Sequence, residues 1–157
     1  MKLRVATYNI HKGVTGIRRV PRIHDVRQAL HSIGADIVFL QEVQDRNERL
    51  HHHENYPRMG QLDFLATSGY AHQVYGKNAV YPHGHHGNAI LSRHTIRRAK
   101  NHDISDHALE SRGMLHAVVR VDGRSRVNVH LLCVHFGLFK GGRQRQAEQL
   151  VQFVEYQ

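Results

Sequence analysis

The segment Asp36-Ile37-Val38-Phe39-Leu40-Gln41-Glu42-Val43 decides how the chain is read. Four consecutive large apolar residues, two of them β-branched, read as a strand buried on both faces. An unpaired carboxylate is costly inside such a strand. Glu42 is therefore placed where the strand leaves the core, at its carboxyl end, which is where layered α/β folds bind ligands. A carboxylate at that position can be a metal ligand, a general base or an ordinary surface acid.

Upstream, residues 3–10 alternate Leu3, Val5 and Thr7 with Arg4, Ala6 and Tyr8 and read as a first strand ending at Asn9. Lys12-Gly13 and Thr15-Gly16 mark a loop. Pro21 suits a helix start, Ile23, Val26, Leu30 and Ile33 follow at helical spacing, and Gly34 supplies the stop. Strand, helix and strand with short connections make a βα-type unit. If its strands are parallel neighbours, Asn9 and Glu42 share one sheet edge.

Downstream, residues 44–60 read as a polar loop containing His51-His52-His53, Gln61–Ser68 as a short helix, and Tyr70–Gly76 as a strand. Asn78–Gly87 reads as a loop, Asn88–Ser92 as a strand, and Arg97–Ser111 as a polar connection. Met114–Val121 and Val127–Phe136 read as strands joined by a hairpin turn at Asp122-Gly123. Arg143–Tyr156 reads as a terminal helix with Ala147, Leu150, Val151 and Val154 on one face. Helices between early strands and a late antiparallel hairpin imply an α/β class: a mixed sheet system covered by helices, organised as one domain over residues 1–157.

The 40% hydrophobic content, in short aliphatic runs, excludes a disordered chain. A net charge of +9 favours anionic partners such as nucleic acid, phosphorylated small molecules or acidic lipid, with an unspecialised basic surface as the plainer reading. Cys133, the single cysteine, has no internal disulfide partner and reads as an inert core thiol. A reducing, cytoplasmic setting fits this. The start is too polar for a secretory signal, and no apolar run approaches the ~20 residues that span a membrane.

Three strands end on residues with chemistry: Asn9, Glu42 and His135. An Asn and a Glu at adjacent strand ends offer oxygen donors to a hard cation, Mg²⁺ above all. Equally, Asn9 can cap a turn and Glu42 can be a surface acid. His135 can be a general acid or a donor to a phosphoryl oxygen, or a hydrogen-bonded half-buried histidine. Arg112, just before a strand, can clamp phosphate or be a solvated loop residue. The tracts His51-His52-His53 and His83-Gly84-His85-His86 can bind Zn²⁺ or Ni²⁺. With one Cys and no HExxH, a dedicated zinc site is a minor reading. His85 or His86 can instead line the mouth of a site. Ser105-Asp106-His107 lies in a connection and reads as loop.

Taken together, Thr7-Tyr8-Asn9-Ile10, Leu40-Gln41-Glu42-Val43, Gly87-Asn88-Ala89-Ile90-Leu91-Ser92, Ser111-Arg112-Gly113 and Val134-His135-Phe136 occur in an order and spacing that resemble the endonuclease/exonuclease/phosphatase superfamily. These are the DNase I-like and exonuclease III-like Mg²⁺-dependent phosphoesterases. Asn9-Ile10-His11-Lys12-Gly13 and His83-Gly84-His85-His86-Gly87-Asn88 are similar to a bacterial subgroup. The resemblance implies a four-layer α/β/β/α sandwich and hydrolysis of a phosphodiester, in a nucleic acid or of phospholipid type. It implies Mg²⁺ (or Mn²⁺) held by Glu42 with Asn9, phosphate bound by Arg112, and His135 facing the leaving oxygen, with Asn9 and His135 as catalytic residues.

The resemblance covers the whole chain but only the N-terminal part of the family domain. The family's Gly-Asp-x-Asn strand end and its closing Ser-Asp-His motif do not occur here, and Ser105-Asp106-His107 stands in the wrong place to replace the latter. Two expectations follow. Either this chain contributes half of a hydrolase site, or it is a non-catalytic basic remnant that binds anions or nucleic acid. A fold lacking its C-terminal part exposes sheet surface and a strand edge, which favours self-association.

Overall fold

A computed structural model of the protein describes residues 2–17, 19–121 and 126–156. The element order is β1 (Val5–Asn9), a 3₁₀ turn (His11–Gly13), α1 (Ile23–Ile33), β2 (Ile37–Asn47), α2 (Gln61–Ala66), β3 (His72–Tyr81), β4 (Gly84–Ser92), β5 (Thr95–Asp103), β6 (Gly113–Val121), β7 (Val127–Val134) and α3 (Lys140–Glu155). The strands form two sheets, in the orders β1-β2-β4-β3 and β5-β6-β7. Only the β1–β2 pair among them is parallel, as a strand–helix–strand unit requires.

Helix α1 forms where the sequence places it. Ile23, Val26 and Leu30 are buried at helical spacing, and Gly34 closes the helix at φ 57° with its N–H on the Leu30 carbonyl. The helix delivers the chain to Ile37–Leu40, whose side chains alternate between two cores. Val38 and Leu40 face Val26, Leu30, Leu62 and Leu65, so α1 and α2 cover one face of the first sheet. Ile37 and Phe39 face Leu115, Ala117, Val119 and Leu131 between the two sheets. Helix α3 lies on the far face of the second sheet, where Phe153 meets His102 and His116 edge-on at ring separations of 4.9 and 5.0 Å. The layers are thus helix, sheet, sheet, helix, the four-layer sandwich expected from the resemblance.

The structure corrects several boundaries. β2 does not stop at Val43 but runs to Asn47, carried past the core by two register irregularities. The Asn78–Gly87 segment is not a loop: β3 continues to Tyr81 and β4 starts at Gly84, so only Pro82 and His83 turn the chain. The first part of the Arg97–Ser111 connection, up to Asp103, is strand β5, an edge strand whose Arg97, Arg98 and Lys100 mimic loop polarity. Helix α3 begins at Lys140 and docks through Gly142, Gln146 and Phe153, while Val151 and Val154 are 52% and 53% exposed. The Asp122-Gly123 turn lies outside the described residues; the strands it joins pair as a hairpin, Val121 opposite Val127. Among the described residues no helix is long and apolar enough to cross a membrane.

Candidate active site at the strand ends

Between the pairs Leu40–Ala89 and Val43–Gly87, two residues of β2, Gln41 and Glu42, oppose the single residue Asn88 of β4. This is a β-bulge, and it re-aims the side chains on either side of it. Glu42 takes φ 55°, a left-handed conformation that costs a non-glycine residue about 1–2 kcal/mol. Gln41 turns inward: its amide donates to Thr7 Oγ1 at 3.1 Å and to Cys133 Sγ at 3.6 Å. Asn88, almost fully buried, donates from Nδ2 to the Gly113 carbonyl (2.8 Å) and the Cys133 carbonyl (3.2 Å). These contacts pin the first sheet to β6 and β7.

Parallel pairing sets Asn9 opposite Gln41, so the Asn9 and Glu42 side chains meet. Asn9 Nδ2 donates to Glu42 Oε1 at 3.0 Å, and Asn9 Oδ1 accepts from the His11 N–H at 2.9 Å. His135 Nε2 lies 3.8 Å from Glu42 Oε1, and His11 Nδ1 lies 3.8 Å from Glu42 Oε2. The carboxylate is thus flanked by an amide and two imidazoles. Burial opposes its ionisation, but the Asn9 hydrogen bond and the nearby His135, Lys12 and His11 outweigh it, and the carboxyl pKa falls below the usual range. The His135 pKa is pushed down by burial and by Arg112, with Glu42 pulling the other way.

Arg112 opens onto the same mouth. Its backbone is anchored by Ser105, whose Oγ accepts from the Arg112 N–H at 3.0 Å. Its guanidinium Nε sits 3.8 Å from Glu110 and is buried without a hydrogen-bond partner. His86 lies among the same groups: burial, then Lys12, push its pKa down to about 4 against the pull of Glu42, with Arg112 and His135 adding smaller effects. Two open clefts adjoin the strand ends. One, of 720 Å³, follows β2 beyond Glu42 and is lined by residues including Asp45, Tyr56, Arg58 and His85. The other, of 610 Å³, includes Lys77, Asn78, Glu110 and Arg112.

The fold therefore brings together all four residues singled out in the sequence: Asn9, Glu42, Arg112 and His135. It adds His11, Lys12 and His86. Of these, the sequence marks His86, with His85, as lining the mouth, whereas His11 and Lys12 enter it only as part of the loop and subgroup wording that follows Asn9. His85 instead points to Tyr75, with Nδ1 3.0 Å from its hydroxyl, and shares the larger cleft with His51 and His52. Among the described residues no three His, Cys, Asp or Glu side chains gather as a metal cage. Ser105-Asp106-His107 is loop, and Asp106 is spent on a two-pronged ion pair with Arg145 of α3.

Two stacked sheets covered by helices, with a carboxylate, an amide, an arginine and a histidine at their shared mouth, make this a layered α/β protein with its candidate site at the strand ends. The profile of the Endonuclease/Exonuclease/phosphatase family matches residues 6–156, and the chain belongs to that family. Its members are phosphoesterase hydrolases. The chain is 42% identical over 153 residues to the uncharacterized protein YbhP of Escherichia coli K12, covering 96% of this chain and 60% of YbhP. It superposes on an endonuclease/exonuclease/phosphatase from Beutenbergia cavernae with a TM-score of 0.74 at 23% identity, over 96% of this chain and 43% of that one. TDP2 from Caenorhabditis elegans gives a TM-score of 0.65 at 19% identity, over 98% and 41%. The chain thus spans about three-fifths of the curated relative it matches.

Proposed function

We propose that these residues carry the first half of a divalent-metal-dependent phosphodiesterase site, with Mg²⁺ as the metal and Mn²⁺ able to replace it. The observation that carries this reading is the Glu42 carboxylate: ionised, strained into a left-handed backbone, hydrogen-bonded by Asn9 and set between two imidazoles. The Glu42 carboxylate and the Asn9 amide oxygen are hard oxygen donors, which suit Mg²⁺, a cation that takes one or two protein carboxylates and keeps several waters. The donor set therefore fits the metal. Glu42 would hold it, and Asn9, through the hydrogen bond it already makes, orients Glu42 and has Oδ1 as its remaining oxygen donor. When bound, the cation supplies charge stabilisation at phosphorus.

The other roles belong to the chain itself. Arg112, whose buried Nε has no hydrogen-bond partner and lies 3.8 Å from Glu110, binds a phosphoryl oxygen. His135, half-buried and with its pKa pushed down by burial, faces the reacting group and can hand a proton to, or receive one from, a bridging oxygen. The substrate is a phosphodiester of nucleic acid or phospholipid type. Hydrolysis of bis(p-nitrophenyl) phosphate tests this. Turnover should require Mg²⁺ or Mn²⁺, stop with EDTA, and fall at least ~10²-fold in Glu42→Ala. Turnover unchanged by that substitution would refute the role given to Glu42.

A further inference from the structure

His86 is placed by backbone features that the sheet itself does not need. Lys77 pairs with Gly87 and Ala79 with His86, so Asn78 is an extra, bulged residue of β3 directly across from it. Asn78 is fixed by the amide of Asn101, which donates to its Oδ1 at 3.0 Å. Beside His86, a Cβ at Gly87 would lie 1.8 Å from the Gly76 carbonyl oxygen, so the chain approaches there as only glycine allows. Tyr81 backs the imidazole at a ring separation of 5.4 Å. The result is a histidine held on the mouth side of the bulge, acted on by Lys12, Glu42, Arg112 and His135 together.

Two side-chain nitrogens in this neighbourhood are buried and have no hydrogen-bond partner: Arg112 Nε and His86 Nδ1. A buried donor left unmade costs about 1–3 kcal/mol, and such groups call for an explanation. Arg112 Nε can only donate, and His86 Nδ1 donates in the tautomer that carries its proton there. An anion oxygen is an acceptor that either nitrogen could use. A phosphodiester has two such oxygens, the non-bridging ones.

We propose that His86 is a phosphate-contacting residue, donating from Nδ1 to one non-bridging oxygen of a bound phosphodiester while Arg112 donates to the phosphoryl group from Nε. The inference rests on the site reading given above and deepens it by adding a second protein donor to the phosphate. It also separates the roles of neighbouring histidines, since His85 is engaged by the Tyr75 hydroxyl and turned to the larger cleft.

The test is equilibrium binding of dimethyl phosphate, a phosphodiester that does not turn over on the timescale of the measurement, titrated by NMR into the full chain with Mg²⁺ present. His86→Phe keeps the ring bulk and removes the donor, whereas His86→Asn keeps an amide N–H near the position of Nδ1. His86→Phe should weaken binding about 10- to 100-fold, and His86→Asn should restore it to within about 5-fold of the parent. Unchanged affinity in His86→Phe, with Arg112→Ala and Glu42→Ala both weakened, would overturn the inference and leave the site reading standing. Affinity unaffected by all three, or no binding by the parent chain, would overturn both. Equal weakening in His86→Phe and His86→Asn, with a lowered melting temperature in each, would assign His86 to packing and also overturn the inference.

Discussion

Three histidines, His11, His86 and His135, stand around the Glu42 carboxylate at the strand ends. Three others, His102, His116 and His130, run diagonally across the outer face of the second sheet under Phe153. The first group sits on broken geometry: a bulge in β2, a bulge in β3, and left-handed backbone at His11, Lys12 and Glu42. The second sits on more regular ladders: β6 and β7 pair without a slip from Met114–Val134 to Val121–Val127, and β5 slips against β6 only between Ile96 and Arg98, away from His102. His116 Nε2 and His130 Nδ1 satisfy each other at 3.2 Å. His102 and His116 are depressed by burial and by basic neighbours, with no carboxylate among the causes: Lys100 at His102, and His130, His102 and Arg98 at His116. The same side chain is thus offered to an anion in one place and used as packing in the other. The signal that separates them is the irregular backbone around a carboxylate, not the number of histidines.

This contrast can be broken by substitution. The largest expected effect is Gly87→Ala at the bulged rim. Its Cβ would collide with the Gly76 backbone, so the β3–β4 pairing must shift, at a cost of about 3 kcal/mol or more. Urea denaturation measures it, and a loss below about 1 kcal/mol would show that the rim tolerates regularisation. Asn88→Ala should follow, at about 2 kcal/mol, because it strips the Gly113 and Cys133 carbonyls of their buried donor. On the outer face, Phe153→Ala should cost only about 1 kcal/mol, since that ring is half-buried. It should leave phosphodiester hydrolysis unchanged.

The smallest effect is in the pH dependence. His102 and His116 have depressed pKa values in the fold, so the unfolded chain binds more protons than the folded one below about pH 6.5. Stability should be fully present above pH 7 and decline as the pH drops through that range toward the folded-state values. His85, His86 and His135 add the same sign. His116→Asn should flatten the slope between pH 7.5 and 5.5 without removing it; an unchanged slope would mean that the outer cluster is not held neutral by burial.

Much of this was legible in the sequence where the physics is local. The run Ile37–Leu40 announces a strand buried on both faces because neither face has a polar residue to show to water. Gly34 marks the helix end because a left-handed cap needs it. What was not legible depends on pairing partners distant in sequence. β5 hides because an edge strand exposes Arg97, Arg98 and Lys100, the composition of a loop. The β3–β4 hairpin hides because Pro82 and two glycines suggest a long loop where two residues suffice. At the site, Asn9, Glu42 and His135 stood out as polar residues closing apolar runs. His86 did not separate from His85, because only the bulge at Asn78 decides which of them faces the mouth.

The most direct test of the central claim, that Glu42 anchors a divalent cation beside Asn9 and His135, is Mn²⁺ binding followed by electron paramagnetic resonance of the free ion. The parent chain should take up one Mn²⁺, displaceable by Mg²⁺, and Glu42→Gln, which keeps the size of the side chain and removes its charge, should lose that site. Mn²⁺ uptake with the same affinity in Glu42→Gln would contradict it.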